Sequence, residues 1–223
     1  MSASKKTGPT KDERRARVSE IRAAQLRDDR RRKYLTILIF TGIVLALVVP
    51  TAFVIANAER DAAAVEQAAS QPIVGERVDD ISTATHVAGD ISYETREAVA
   101  EGTLLPPTGG DHDPVVQNCG FYAEPIRSEN ALHSLEHGAV WLTYRPGLDD
   151  AQVARLSELA QENPYLLVSP FEDLAADVVA TAWGVQVELD SAQDERLLPF
   201  LERYLQGEQT PEPGASCQGG IGG

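Results

Sequence analysis

The apolar positions of this chain fall into two regimes. From Tyr34 to Ala58 the run YLTILIFTGIVLALVVPTAFVIANA contains no charged residue. In the second half of the chain, apolar residues instead come in short groups divided by polar ones. The first regime is long enough for a membrane helix, which takes about 20 apolar residues. Pro50 within it reads as a bend, which such helices tolerate when neighbouring groups satisfy the freed backbone. In the second regime, AVWLTY at 139–144, YLLVS at 165–169, DVVATAW at 177–183 and the alternating VQVEL at 185–189 predict strands, and Gly138 closes a short helical turn before the first of them. A helix is expected from Asp149-Asp150, with Val153, Leu156 and Leu159 at helical spacing, until Asn163-Pro164 stops it. Another is expected from Ser191 to Gln206, with Leu197, Leu198, Leu201 and Leu205 on one side. The order β-α-β-β-β-α predicts an α+β domain whose mostly antiparallel sheet is covered by helices on one face.

Between the two regimes, residues 59–79 read as a stalk and linker, helical and Ala-rich until Gln71-Pro72, because proline disfavours helix in the residue before it. The stretch EGTLLPPTGGDHDPVVQN at 101–118 crowds proline, glycine and Asp/Asn without periodicity. Compact domains seldom keep so long an irregular loop unless it binds something. The expected organisation is an arm at 1–33, a transmembrane helix at 34–58, the stalk at 59–79 and a folded domain at 80–223.

Charge gives these segments sides. Of 223 residues, the first 33 hold 12 basic and 5 acidic side chains, whereas residues 59–223 hold 8 basic and 29 acidic ones. Arg30, Arg31, Arg32 and Lys33 abut the apolar run, and such clusters stay on the cytoplasmic face. A single-pass protein of the cell membrane is expected, N-terminus cytoplasmic and C-terminal domain extracytoplasmic. Ala56-Asn57-Ala58 also fits a signal-peptidase site, but the run is far longer than a signal peptide's core. The arm suits anionic lipid headgroups, at about 1 kcal/mol per basic residue near the surface. Nucleic acid is not an expected partner, because acidic residues dilute the arm and it has no stacking aromatic.

The compartment bears on the two cysteines, Cys119 and Cys217. Outside the cytoplasm two thiols suffice for one disulfide, which would tie the glycine-rich tail to the domain. The competing role for Cys119 is that of a metal ligand.

All four histidines, His86, His112, His133 and His137, lie in the outer domain. In HSLEHG at 133–138, a helical turn would put His133 and His137 on one face, with Glu136 beside His133. Two imidazoles one turn apart can bind a single cation, and a loop histidine such as His112 in GGDHDP, helped by His86 in ATHVAG, could complete the sphere. Copper and zinc are the expected ions. Glu136 reads as a ligand or as the acceptor orienting a histidine. The stretch also matches H-x-x-E-H, in which two histidines hold zinc and the glutamate activates water. Hydrolysis is disfavoured, because Gly138 and a strand follow at once where such enzymes continue a long helix. Trp141 and Trp183 read as core aromatics within strands.

In GGDHDPVVQNCGFYAEPI at 109–126, ENALHSLEHGAVWLTYRPGL at 129–148, VSPF, ATAWG and the terminal PEPGASCQGG, the chain resembles a family of actinobacterial membrane proteins known as domain of unknown function 3105. The resemblance spans about residues 80–222. It implies a single-pass protein with a basic cytoplasmic arm and covers the positions of His86, His112, Cys119, His133, Glu136 and His137, but it implies no activity. The residues point to a metal-binding rather than a catalytic domain. The alternative is a cell-envelope interaction protein, with structural histidines and the loop at 101–118 meeting a protein partner.

Overall fold

A computed structural model describes residues 11–93 and 103–222. The first ten residues of the arm and the opening of the 101–118 loop lie outside these. The chain divides into two units, one up to Arg60 and one from Asp61 to Gly223.

Residues 11–33 of the arm, the apolar run and the stalk as far as Ala69, expected as separate segments, belong to one helix, α1 (Lys11–Ala69), with Pro50 inside it. At 1.5 Å per residue its 59 residues measure about 88 Å. Its aliphatic side chains are exposed on every side, Leu38 and Leu47 at 67% each. A helix apolar all round is stable only where something other than water surrounds it. It is long and apolar enough to cross a membrane.

The second unit is built on a six-stranded sheet: β1 (Arg77–Val78), β2 (Gly120–Phe121), β3 (Val140–Tyr144), β4 (Leu166–Pro170), β5 (Val178–Ala182) and β6 (Val185–Leu189), in the order β1-β6-β5-β3-β4-β2. The β1–β6, β6–β5 and β5–β3 pairings are antiparallel, and β3–β4 and β4–β2 are parallel. The sheet is thus mostly antiparallel, as the pattern of short apolar runs suggested. The parallel β3–β4 pair needs a crossover, which α3 (Asp150–Glu162) supplies, capped by the Asp149 carboxylate accepting from the Ala151 amide.

Alternation along the strands divides the core into two layers. Val140, Leu142, Val168, Ala180 and Val187 face Leu156 and Leu159 of α3 and Phe200, Leu201 and Tyr204 of α4 (Leu197–Tyr204). On the other face Trp141, Leu167 and Trp183 meet Ala131, Leu132 and Leu135 of α2 (Ser128–Glu136). Helices therefore cover both faces, not one. The short turn before Gly138 is a full helix with its own apolar side. The last helix is also shorter than its leucine pattern suggests. The Asp194 carboxylate accepts from the amides of Asp190 and Arg196 and pairs with the Arg196 guanidinium, which holds residues 190–196 in turns until Leu197.

Cys119 and Cys217 stand at disulfide distance, with Cα atoms 5.5 Å apart. Around them the tail lies along residues 116–119: the Ile221 amide donates to the Val116 carbonyl, the Asn118 amide to the Ile221 carbonyl and the Cys119 amide to the Cys217 carbonyl. A Cβ on Gly220 would overlap the Val116 carbonyl, so only glycine lets the tail approach this closely.

Candidate metal centre

Helix α2 carries the centre, and it is buried along nearly its whole length from Glu129 to Glu136. Several of its polar side chains bond to the backbone of the segments wrapped around it. The Ser134 hydroxyl donates to the Gln117 carbonyl, Asn130 Nδ2 to the Val115 carbonyl, and Glu129 Oε1 accepts from the Ile91 amide. The helix ends where Gly138 adopts φ 95°. The Gly138 amide then bonds to the Leu135 carbonyl and the Ala139 amide to the Ser134 carbonyl, the paired bonds of a glycine-terminated helix.

The loop brings the other members. His86 and His112 form an isolated parallel bridge, in which the Val87 amide donates to the His112 carbonyl and the His112 amide to the Thr85 carbonyl. Asp111 Oδ1 accepts from the Thr85 amide. This bridge sets both rings beside the last turn of α2. One potential ligand atom from each of His86, His112, His133 and Glu136 lies within 4.8 Å of all the others. Donors around a tetrahedral zinc at about 2.1 Å are separated by about 3.4 Å, so small side-chain shifts would close the group on one ion.

Hydrogen bonds fix the two buried rings. His112 Nδ1 lies 2.8 Å from the Gly110 carbonyl oxygen, and His133 Nδ1 lies 2.8 Å from that of Asp113. A carbonyl only accepts, so both Nδ1 atoms carry hydrogen, and in a neutral ring each Nε2 is left with a lone pair. This is the backing that metal-binding imidazoles receive in general. His112 Nε2 points at Glu136 Oε2 from 2.9 Å, and His86 Nε2 lies 3.3 Å from the same oxygen. Burial holds His133 below the usual imidazole range, with the neighbouring His137, His112 and His86 acting in the same direction against the Asp113 carbonyl. Trp183 meets His112 in a T-shaped contact, with ring centroids 5.7 Å apart.

His137 is placed differently from its expected role. Its ring lies 4.6 Å from that of His133, but its Nδ1 donates to the Ser216 carbonyl at 2.7 Å and its Nε2 lies 3.5 Å from Glu212. It serves the tail, and Glu136 takes the place expected for it. The H-x-x-E-H arrangement is not reproduced either, since the glutamate sits among the potential donors and the second histidine turns both ring nitrogens to the tail. Cys119, paired with Cys217, is not a donor. The carbonyls of Gly110 and Asp113 were not legible in the pattern, although the Gly-Gly turn before His112 signals close backbone approach.

A family model described as "Protein of unknown function (DUF3105)" matches residues 94–219, which include His112, His133, Glu136 and both cysteines and begin after His86. No curated protein and no solved structure matches the chain.

Proposed function

We propose, from the premise that this chain belongs to the DUF3105 family of unknown function, that its second unit binds one divalent transition-metal ion through His112, His133, Glu136 and His86. The observation that carries this reading is the convergence of acceptors. With its Nδ1 committed to Gly110, a neutral His112 ring directs a lone pair at a carboxylate oxygen only 2.9 Å away, deep in the domain. Two lone pairs that close repel unless a cation lies between them. His133, whose Nδ1 is held by the Asp113 carbonyl, adds a second imidazole nitrogen.

Three imidazoles and one carboxylate form a donor set of borderline hardness that suits zinc and divalent copper. Monovalent copper is disfavoured. Its thiolate and thioether ligands are absent around the site, as the two cysteines are paired and the sole methionine is Met1.

The rest of the reading concerns placement. Helix α1 anchors the protein in the cell membrane as a single-pass span. The Arg30–Lys33 cluster holds the N-terminus on the cytoplasmic face and meets anionic lipid headgroups. The metal-binding unit then lies outside the cytoplasm, where the Cys119–Cys217 bridge is stable and a protein of the cell envelope can reach it.

Elemental analysis and calorimetric titration of the full-length protein in detergent with zinc and copper(II) test the centre, beside a His112→Ala/His133→Ala variant. Near-stoichiometric metal that the double variant loses is the expected result. The 2.9 Å contact would equally suit a proton, as an imidazolium–carboxylate pair within an envelope interaction protein. No metal above background in the folded wild type would overturn the metal reading and leave that second reading in front.

A further inference from the structure

We infer that this is an exchange site: His86 is the ligand that leaves, and the ion passes to an incoming partner that supplies its own nitrogen or carboxylate donor. The inference rests on the metal reading above and adds how the ion moves.

The four donors are not equivalent. The side chain of His112 is wholly buried and that of Glu136 is 6% exposed, while that of His86 is 43% exposed. His133 is likewise buried. The three inner donors are also held from behind. His133 and Glu136 belong to a buried helix, and the rings of His112 and His133 are each fixed by a backbone carbonyl. His86 belongs to an irregular segment, 82–90, that is exposed throughout. The backbone of its neighbours Thr85 and Val87 is attached to residues 111–112, and the His86 side chain bonds to Glu136 Oε2. Its ring stacks on His133, with centroids 4.7 Å apart, and meets the His112 ring edge-on at 4.8 Å. His86 therefore covers the outer side of the group, and it is the donor with least holding it in place.

Without His86 the remaining set is two imidazoles and a carboxylate, the combination that open zinc sites use with their fourth position free. The exchange step then balances simply. The bond from the ion to His86 breaks, one from the incoming donor forms in its place, and no electron changes hands. Subsequent donors of the partner replace the inner three. A closed structural site would instead release its ion only when the domain opens.

The two cases differ in one readout. Full-length protein in detergent, loaded with one zinc, is mixed with excess 4-(2-pyridylazo)resorcinol, and formation of the coloured zinc–chelator complex is timed across a series of chelator concentrations. The wild-type rate is expected to rise in proportion to chelator. In His86→Ala loaded with one zinc, the rate at a given chelator concentration should be at least about tenfold higher. A variant that cannot be loaded would overturn the inference, because His86 would then be a ligand the site cannot release. His86→Gln, with a native circular dichroism spectrum, should behave likewise. A wild-type rate independent of chelator, or variant rates within about twofold of wild type, would overturn the inference while leaving the metal reading intact. A wild type that cannot be loaded with zinc defeats the metal reading itself, before any release is timed.

Discussion

His112 Nε2 and Glu136 Oε2 meet at 2.9 Å across 24 positions of sequence, one from a bridge in an irregular loop and the other from the last residue of a buried helix. Neither element could place both atoms. The two side chains converge because the loop at 112–119 is fastened to α2 along its length, with the Asp113 amide donating to the Glu129 carbonyl and the Gln117 amide to that of Asn130.

Glu136→Gln keeps the shape of this contact and removes its charge. Zinc affinity should fall by roughly 10- to 100-fold or more, since partners that only orient a ligand already produce losses of that size. Calorimetric titration measures it, and unchanged affinity would remove Glu136 from the donor set.

His137→Ala separates the proposed donor set from the one that the HSLEHG motif suggests. Zinc affinity should stay close to wild type, while stability falls by about 1 kcal/mol through loss of the bond to the Ser216 carbonyl. Urea unfolding of the metal-free protein, run beside the titration, reads both. A large loss of affinity with little loss of stability would return His137 to the ligands.

The lowered pKa of His133 makes the metal-free fold sensitive to acid. Above its usual value of 6.5 the ring is neutral, folded or unfolded, and costs nothing. As pH falls through 6.5 the unfolded chain takes up a proton that the buried ring resists, so stability declines toward the lower folded value. Urea unfolding of the metal-free protein between pH about 8 and about 5 should show this decline, and a shallower one in His133→Gln. An equal slope in both would place the acid sensitivity elsewhere.

Replacing Cys119 and Cys217 by serine should cost about 2–4 kcal/mol, since the bridge closes a loop spanning 98 positions. Zinc binding should weaken as well. The tail that the bridge anchors donates the Glu212 amide to the Glu136 carbonyl and accepts from His137 through Ser216. Unfolding curves and titrations of the double variant test the two effects, and undiminished affinity would show that the tail does not support the donors.

The strands β3 to β6 and the helix α3 were legible because their apolar spacing matches the sheet and helix periods within a residue or two. The two-residue strands β1 and β2 carry no periodicity, and each pairs with a partner far away in sequence. At the centre, the clustering of histidines was the readable signal, but the choice between Glu136 and His137 was not. At about 100° per residue the two lie on opposite flanks of His133, roughly −60° and +40° around the helix. Nothing within the helix says which flank the His86–His112 bridge will take. The tail decides it by occupying the His137 side with Ser216 and Glu212, from a part of the chain that carries no pattern of its own.

That dependence on the tail also sets an order of events during synthesis. Each of the four donors has been made well before residues 212–221, and Cys119 emerges 98 positions ahead of its partner. A nascent chain halted in that interval holds its histidines but lacks the segment that seats against Glu136 and residues 116–119. Helix α2 gains its last backbone partner, the Glu212 amide, only once that segment has been made and has folded back, so the final setting of the histidine–glutamate cluster comes late in translation.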